Sequence, residues 1–523
     1  MEIPENEIDA IFAEWDRDDT PGCALAIVRD GEIVYSRGYG MSNLEHRIPI
    51  EPSSIFHVAS ISKQFTTMCI AMLAADGSLS LDDDIRKHVA EIPDYGATIT
   101  IRHLVHHTSG LRDMWDLLRL AGWREDDLIN EADMLWVASR QAAPNFQPGD
   151  EYVYCNTGYA LLALIIRRVS GLSLRAFAAE RIFEPLGMPR THVHDDHTEI
   201  VEGRTQAYEP SKRGGLRISI PVFDVAGTTS LLTTVEDMAR WDDNFTSRRV
   251  GGDAIVEQML TPGALNDGGP MSYGFGLQAH SYRGLPIVEH GGADAGYRAH
   301  YLRFLDERLA VICLCNLSTM TPRTYALAVA DLVLEDRFTE PLVDGVPEPS
   351  SDDARFAGVY RNHATGDLIK IASDEEGLTA GFDDALRLER LTAGEYRLDG
   401  QPLTRLRFEE RDGAMILING ALYSPVPDPV FERMEEAERT GALSFEGGAF
   451  YSEELDASYR LERDGSTLLL THYRLDDKNL HHAYGDSYAT NNFRVELERD
   501  ETGSVSGFRA STFRVRNVRF ERR

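Results

Sequence analysis

Lysine is almost missing from this chain of 523 residues. Lys+Arg totals 53, yet lysine stands only at Lys63, Lys87, Lys212, Lys370 and Lys478; every other basic position is arginine. Basic residues as a whole are outnumbered, with Asp+Glu at 85 and a formal net charge of -32. A surface of that sign argues against nucleic acid and anionic membranes as partners, because both repel it. Long apolar runs are missing too, and no stretch reaches the roughly 18 residues a membrane span needs. Cysteine is limited to Cys23, Cys69, Cys155, Cys313 and Cys315. An odd count scattered through apolar segments reads as reduced, buried thiols, not a disulfide framework. The opening residues, Met1-Glu2-Ile3-Pro4-Glu5-Asn6-Glu7, lack a basic segment followed by an apolar one, so no secretory signal and a cytoplasmic location are expected.

A hydrophobic content of 42% and a charged content of 26% fit a globular protein. The length exceeds what one core can organise, so several domains are expected.

Against the scarcity of lysine, Ser60-Ile61-Ser62-Lys63 stands out. Residues i and i+3 share a helix face, so the Ser60 hydroxyl and the Lys63 amine can touch. A helix start supplies positive potential and unpaired N–H groups, which suit a developing oxyanion. Where arginine is the default cation, a lysine here suggests an amine that can lose its proton; burial lowers the pKa of such an amine. A surface lysine at a helix start is the competing explanation.

Further along, Pro21 to Val28 reads as a buried strand, turning at Asp30-Gly31 into a second, Ile33 to Gly40. The helix that starts at Ser60 is expected to stop near Gly77. His103 and His107 stand at i, i+4, but without H-E-x-x-H or a third ligand they suit helix-end contacts better than zinc. His192, His194 and His197 are expected in an exposed loop, again with no metal. Tyr154-Cys155-Asn156 precedes a long apolar helix ending at Gly171. In an extended Y-x-N both side chains share a side, so Tyr154 can relay a proton while Asn156 orients a carbonyl or the lysine. Tyr360-Arg361-Asn362 matches the same cheap pattern. Tyr273 to Leu277 reads as a strand, paired with Ile287 to Ala293. In His290-Gly291-Gly292 the glycines let backbone approach a ligand beside an imidazole; a satisfied histidine at a strand end is the alternative. Lys212-Arg213-Gly214 competes as a K-x-G motif but lies in a polar segment.

Thr339 to Asp353 is rich in Pro and acidic residues and reads as a linker. Beyond it come short strands with turns, in two sets opening at Phe356-Ala357-Gly358 and Phe445-Glu446-Gly447. This weak repeat suggests two small antiparallel barrels.

The ordered set Ser60…Lys63, Tyr154-Cys155-Asn156 and His290-Gly291-Gly292 resembles the serine beta-lactamase and penicillin-binding-protein superfamily, in its class C-like branch. Leu104 to Leu111 and Tyr273 to Leu277 support it, and the likeness spans roughly residues 8 to 335. Within that superfamily the chain resembles the bacterial D-aminopeptidases, which also carry Tyr-Cys-Asn, a histidine in place of the third-motif lysine, and two C-terminal barrels. The resemblance implies an α/β (α+β) fold: an antiparallel sheet flanked by helices, with a helical subdomain. The corresponding domains are residues 1–338, a linker at 339–353, and barrels at 354–440 and 441–523. It implies Ser60 as nucleophile, Lys63 or Tyr154 as base, Tyr154 as proton shuttle, and His290 as the replacement for the lysine. Asn156, Gly291, Gly292 and Ala293 would bind substrate, the N–H groups of Ser60 and Ala293 forming the oxyanion hole. A loop of the last barrel, Tyr473 to Leu480, would bring Asp476 or Asp477 to a substrate ammonium; a solvated acidic turn is the alternative. The expected activity is acyl-enzyme hydrolysis releasing N-terminal D-amino acids from short peptides, amides or esters, with no cofactor and no metal. A promiscuous esterase or beta-lactamase-like amidase is the rival within the fold, and a catalytically silent binding protein the rival outside it. A homodimer is left open.

Overall fold

The computed structural model describes residues 3–341, 351–399, 401–421, 425–435, 445, 447–465 and 467–523. Most of the expected linker lies outside them.

The first sheet starts where the apolar run begins. Strand β1 (Cys23–Arg29) is buried almost throughout, as a central strand covered on both faces must be. Asp30 and Gly31 both take positive φ, 51° and 83°, and this turn leads into β2 (Glu32–Tyr39). Four later strands complete the sheet: β3 (Gln278–Tyr282), β4 (Leu285–Asp294), β5 (Tyr297–Phe304) and β6 (Leu309–Cys315). The order is β3-β4-β5-β6-β1-β2, antiparallel throughout. Helix α1 (Glu5–Ile11) packs on α5 (Pro322–Val333), and α5 covers β5 and β6. On the other face α4 (Val235–Ser247) covers β1, β2 and β6. Thr234 caps α4 by accepting the Asp237 N–H at 3.1 Å.

The helical part is built on α2 (Lys63–Ala75) and α3 (Asn156–Ser170), which pack together. Each is closed by a glycine just past its end: Gly77 at φ 73° and Gly171 at φ 77°.

Tyr273 to Leu277 is not a strand. Only Tyr273 makes a bridge, to Gln278, and the regular strand begins at Gln278. The alternation of apolar residues with glycine imitates a strand's period, but it serves close approach. Gly276 has φ 72°, and a Cβ there would come within 2.6 Å of Gln64 N. The exposed loop expected at His192 to His197 is also corrected. His192–Val193 pairs with Leu231–Leu232, and His194 is buried. Polar composition hid a short strand held by backbone pairing.

The chain divides by contact into two compact units. The first comprises residues 1–110, 126–139 and 146–342; the second comprises 111–125, 140–145 and 343–523. The second unit holds two closed eight-stranded barrels, one running from Gly358–Arg361 to Val430–Arg433 and the other from Gly448–Ser452 to Val518–Arg522. The N-terminal segments grouped with it are fastened by polar bonds. Arg112 donates to Glu454 at 2.7 Å, Tyr459 to the Leu120 carbonyl at 3.0 Å, and Thr512 to Asp116 at 2.6 Å. No helix among the described residues is long and apolar enough to cross a membrane.

Candidate active site

Ser60 sits on a strained turn. Ala59 has φ 49°, uncommon for a residue with a Cβ, and the 3-10 turn Ala59–Ser62 runs directly into α2. Three contacts hold the turn. The Ala59 N–H donates to His57 Nδ1 at 3.2 Å, the Ser62 hydroxyl to Ala59 O at 2.6 Å, and the Leu231 N–H to Ser62 Oγ at 2.9 Å. Ser62 is therefore buried and committed to structure, while Ser60 keeps partial exposure.

Lys63 is wholly buried. Its Nζ lies 3.2 Å from Ser60 Oγ, 3.0 Å from Asn156 Oδ1 and 2.8 Å from the Thr228 carbonyl. Two of these partners, an amide oxygen and a carbonyl, can only accept. A neutral amine would spend its two N–H bonds on them, leaving its lone pair toward Ser60. The rings of Tyr154 and Tyr159 flank Nζ at 4.8 and 5.2 Å.

Tyr154 is positioned by His107. The two rings lie 4.2 Å apart, and His107 Nδ1 accepts the Cys155 N–H at 3.0 Å, just before α3. His107 itself takes φ 59°. His103 does something else: its ring accepts the Thr100 N–H and closes a capping box. The two histidines at i, i+4 thus serve different structural ends.

His290 lies on β4 opposite Tyr301. Its Nδ1 is 2.6 Å from Gly291 O, which can only accept, so the proton sits on Nδ1. Nε2 then accepts from the Tyr273 hydroxyl at 2.9 Å. Burial, with the Lys63 charge second, lowers the imidazole to about 3, so it is uncharged near neutrality. The Tyr154 and His290 rings are 6.3 Å apart. Gly292 abuts the Ser60 turn, where a Cβ would overlap the Val58 carbonyl and crowd Ala59. Ala293 follows on the same strand.

Ser60, Lys63, Tyr154, Asn156, His290, Gly291, Gly292 and Ala293 all belong to the first unit. Asp476 and Asp477 belong to the second. They are exposed on Leu475–Tyr484, which pairs with Thr467–His472 across a tight turn at Tyr473-Arg474. A hairpin strand therefore replaces the loop expected there. Of the competing motifs, Tyr360 is buried in the first barrel and donates to Phe356 O at 2.7 Å, and Lys212 lies exposed at a hairpin turn.

Three residues were missed as site members. Thr228 acts through its backbone carbonyl, which leaves no side-chain signal. Tyr273 was read only as the start of a strand and His107 only as half of an i, i+4 pair; their signal was an aromatic or imidazole beside a glycine-bearing turn. Among possible metal ligands, His192, His194 and Glu199 come within 4.8 Å of one another. Arg175 donates twice to Glu199, at 2.7 Å each, so that carboxylate already has its cation.

A serine and a lysine one turn apart, an asparagine and a tyrosine at the next helix start, and a histidine on the adjoining strand define a serine hydrolase site. Comparison with known proteins agrees. The Beta-lactamase family model matches residues 8–335, and the chain belongs to that family. A D-aminopeptidase of Cereibacter sphaeroides is 31% identical over 85% of this chain and 82% of its own length. A D-aminopeptidase from another strain of that organism is 29% identical over 96% of each chain. The octameric penicillin-binding protein homologue from Pyrococcus abyssi shares the fold, with TM-score 0.57 and 22% identity, covering 90% of this chain and 98% of that one.

Proposed function

We propose that this chain is a D-stereospecific aminopeptidase or amidase that works through an acyl-enzyme on Ser60. The observation that carries the reading is the Lys63 amine, in reach of Ser60 Oγ while two obligate acceptors take its N–H bonds. Ser60 Oγ attacks the substrate carbonyl carbon as its proton passes to Lys63 Nζ. The carbonyl oxygen becomes an oxyanion facing the N–H groups of Ser60 and Ala293. Tyr154 gives its proton to the leaving nitrogen, the C–N bond breaks, and Lys63 returns a proton to Tyr154. Water then cleaves the ester by the reverse sequence and Ser60 recovers its hydrogen.

Two features favour an amine-bearing substrate over one ending in a carboxylate. His290 is uncharged, so the third-motif position offers no fixed cation to a carboxylate. The two relatives described above are both D-aminopeptidases and extend over most of the chain. A fluorophosphonate should label the protein and fail to label Ser60→Ala. D-alanine p-nitroanilide should be hydrolysed and its L-form should not. Labelling without any turnover of the D-anilide would remove the substrate part of this reading and leave the nucleophile.

A further inference from the structure

We propose that Asp294 is the anchor for the free α-ammonium group of the substrate, a role that rests on the aminopeptidase reading above. The geometry begins with the alternation of β4. His290, Gly292 and Asp294 project to one face, and Glu289, Gly291 and Ala293 to the other. The first face meets the site: Gly292 abuts Val58 and Ala59, and Tyr301, paired with His290, donates to Asp242 of α4 at 2.7 Å. Asp294 ends the strand two residues past Gly292. Its carboxylate has Thr229 and Lys63 among its neighbours. Thr229 in turn follows Thr228, whose carbonyl takes the Lys63 N–H at 2.8 Å. The acid is therefore part of the cluster around the nucleophile, and it stays partly exposed.

The chemistry of an aminoacyl substrate fixes where an anchor must be. The ammonium nitrogen stands two bonds from the carbonyl carbon, about 2.5 Å away at ordinary bond lengths. A carboxylate that holds it must adjoin the donors that hold the carbonyl oxygen. Asp294 is the next residue after Ala293. Burial raises the Asp294 carboxyl to about 6, with Thr229 and Lys63 opposing only in part. Such a group gains from an arriving cation. The other acid of this strand cannot compete. Glu289 faces α5, where it is buried and bonded to Arg323, His280 and His300.

The test compares the full-length protein with Asp294→Asn and Asp294→Glu on two acyl donors. D-alanine p-nitroanilide carries the ammonium; p-nitrophenyl acetate has none. A charge-assisted hydrogen bond at this position predicts that Asp294→Asn loses about 10- to 100-fold more kcat/KM on the anilide than on the acetate. The excess should fall mainly in KM, and Asp294→Glu should recover part of it. Equal losses on both donors, or no loss on the anilide, would overturn the assignment. A wild type active on the acetate but not on the anilide would remove the substrate reading and this role with it. A wild type active on both, with an unchanged ratio in Asp294→Asn, would remove this role alone. Asp476→Asn and Asp477→Asn serve as comparators, and a loss confined to them would transfer the role to the second barrel.

Discussion

Asn156 Oδ1 lies 3.0 Å from Lys63 Nζ, joining two helix starts that are 93 residues apart in the chain. A neutral amide there accepts a proton donor without fixing the lysine's charge. A carboxylate in its place would favour the ammonium form and raise the Lys63 pKa by about 1–3 units. Asn156→Asp is therefore expected to shift the acid limb of kcat/KM upward by about that amount. The loss at pH 7 should be up to about 1000-fold, with recovery as pH rises toward 10. Asn156→Ala should lose rate without moving the limb. Profiles on D-alanine p-nitroanilide decide it: a limb unmoved in Asn156→Asp would mean that Lys63 is not the base.

The glycine pair after His290 allows a sharper contrast. A Cβ on Gly292 would overlap the Val58 carbonyl, whereas one on Gly291 would meet its nearest atom, His300 Nδ1, at an ordinary 3.4 Å. Gly292→Ala should push β4 off the Ser60 turn. Overpacking of this kind costs about 1–3 kcal/mol, and a shift near 1 Å at reacting groups costs about 100-fold in rate. Gly291→Ala should leave the urea midpoint close to that of wild type, since nothing in the fold must move there. Parallel measurement of kcat/KM and urea midpoint on the two variants checks the ordering, and a Gly291→Ala fall in midpoint equal to that of Gly292→Ala would refute it.

The legibility of this site in the sequence followed the kind of group involved. Ser60, Lys63 and Asn156 were readable because local spacing sets their geometry, one helical turn in one case and the three-residue step from Tyr154 to Asn156 in the other. β1 and β4 were readable because their apolar runs are bounded by turns. Thr228 was not, since a backbone carbonyl has no residue signature. Tyr273 to Leu277 was misread because glycine alternation looks like a strand, although the glycine at 276 is there to let the chain touch α2. Asp294 was passed over because its meaning depends on strand parity and on Thr229, 65 positions earlier in numbering. The acids at 476 and 477 drew attention through resemblance alone, and their local fold is a hairpin strand.

His290 should not appear in the pH–rate profile. Burial and Lys63 hold it at about 3, so it carries no charge anywhere between pH 5 and 8. His290→Ala removes the acceptor for the Tyr273 hydroxyl and should cost about tenfold in kcat/KM. Its acid limb should coincide with that of the wild type. A limb near pH 6–7 that vanishes in the variant would show that the imidazole titrates and would contradict the environment described.

His57 links acid stability to the nucleophile turn. Its Nδ1 accepts the Ala59 N–H, which requires that nitrogen to be unprotonated. Burial first, then the Arg204 and His194 charges, lowers it to about 3 from an ordinary 6.5. Between those values the unfolded chain binds a proton that the folded chain refuses, so stability rises with pH across this window. The contribution is fully present above pH 6.5 and is lost as pH falls toward 3, with a slope of up to about 1.4 kcal/mol per pH unit. His57→Gln keeps a side-chain oxygen as acceptor but cannot titrate. The variant should be less stable than wild type at pH 7, and the gap should narrow as pH drops to 4. Urea midpoints of both proteins at pH 7, 6, 5 and 4 give this difference directly, with the other titrating groups cancelling between them. A gap that stayed constant would mean that His57 does not resist protonation, and the hold of its ring on the Ser60 turn would have to come from elsewhere.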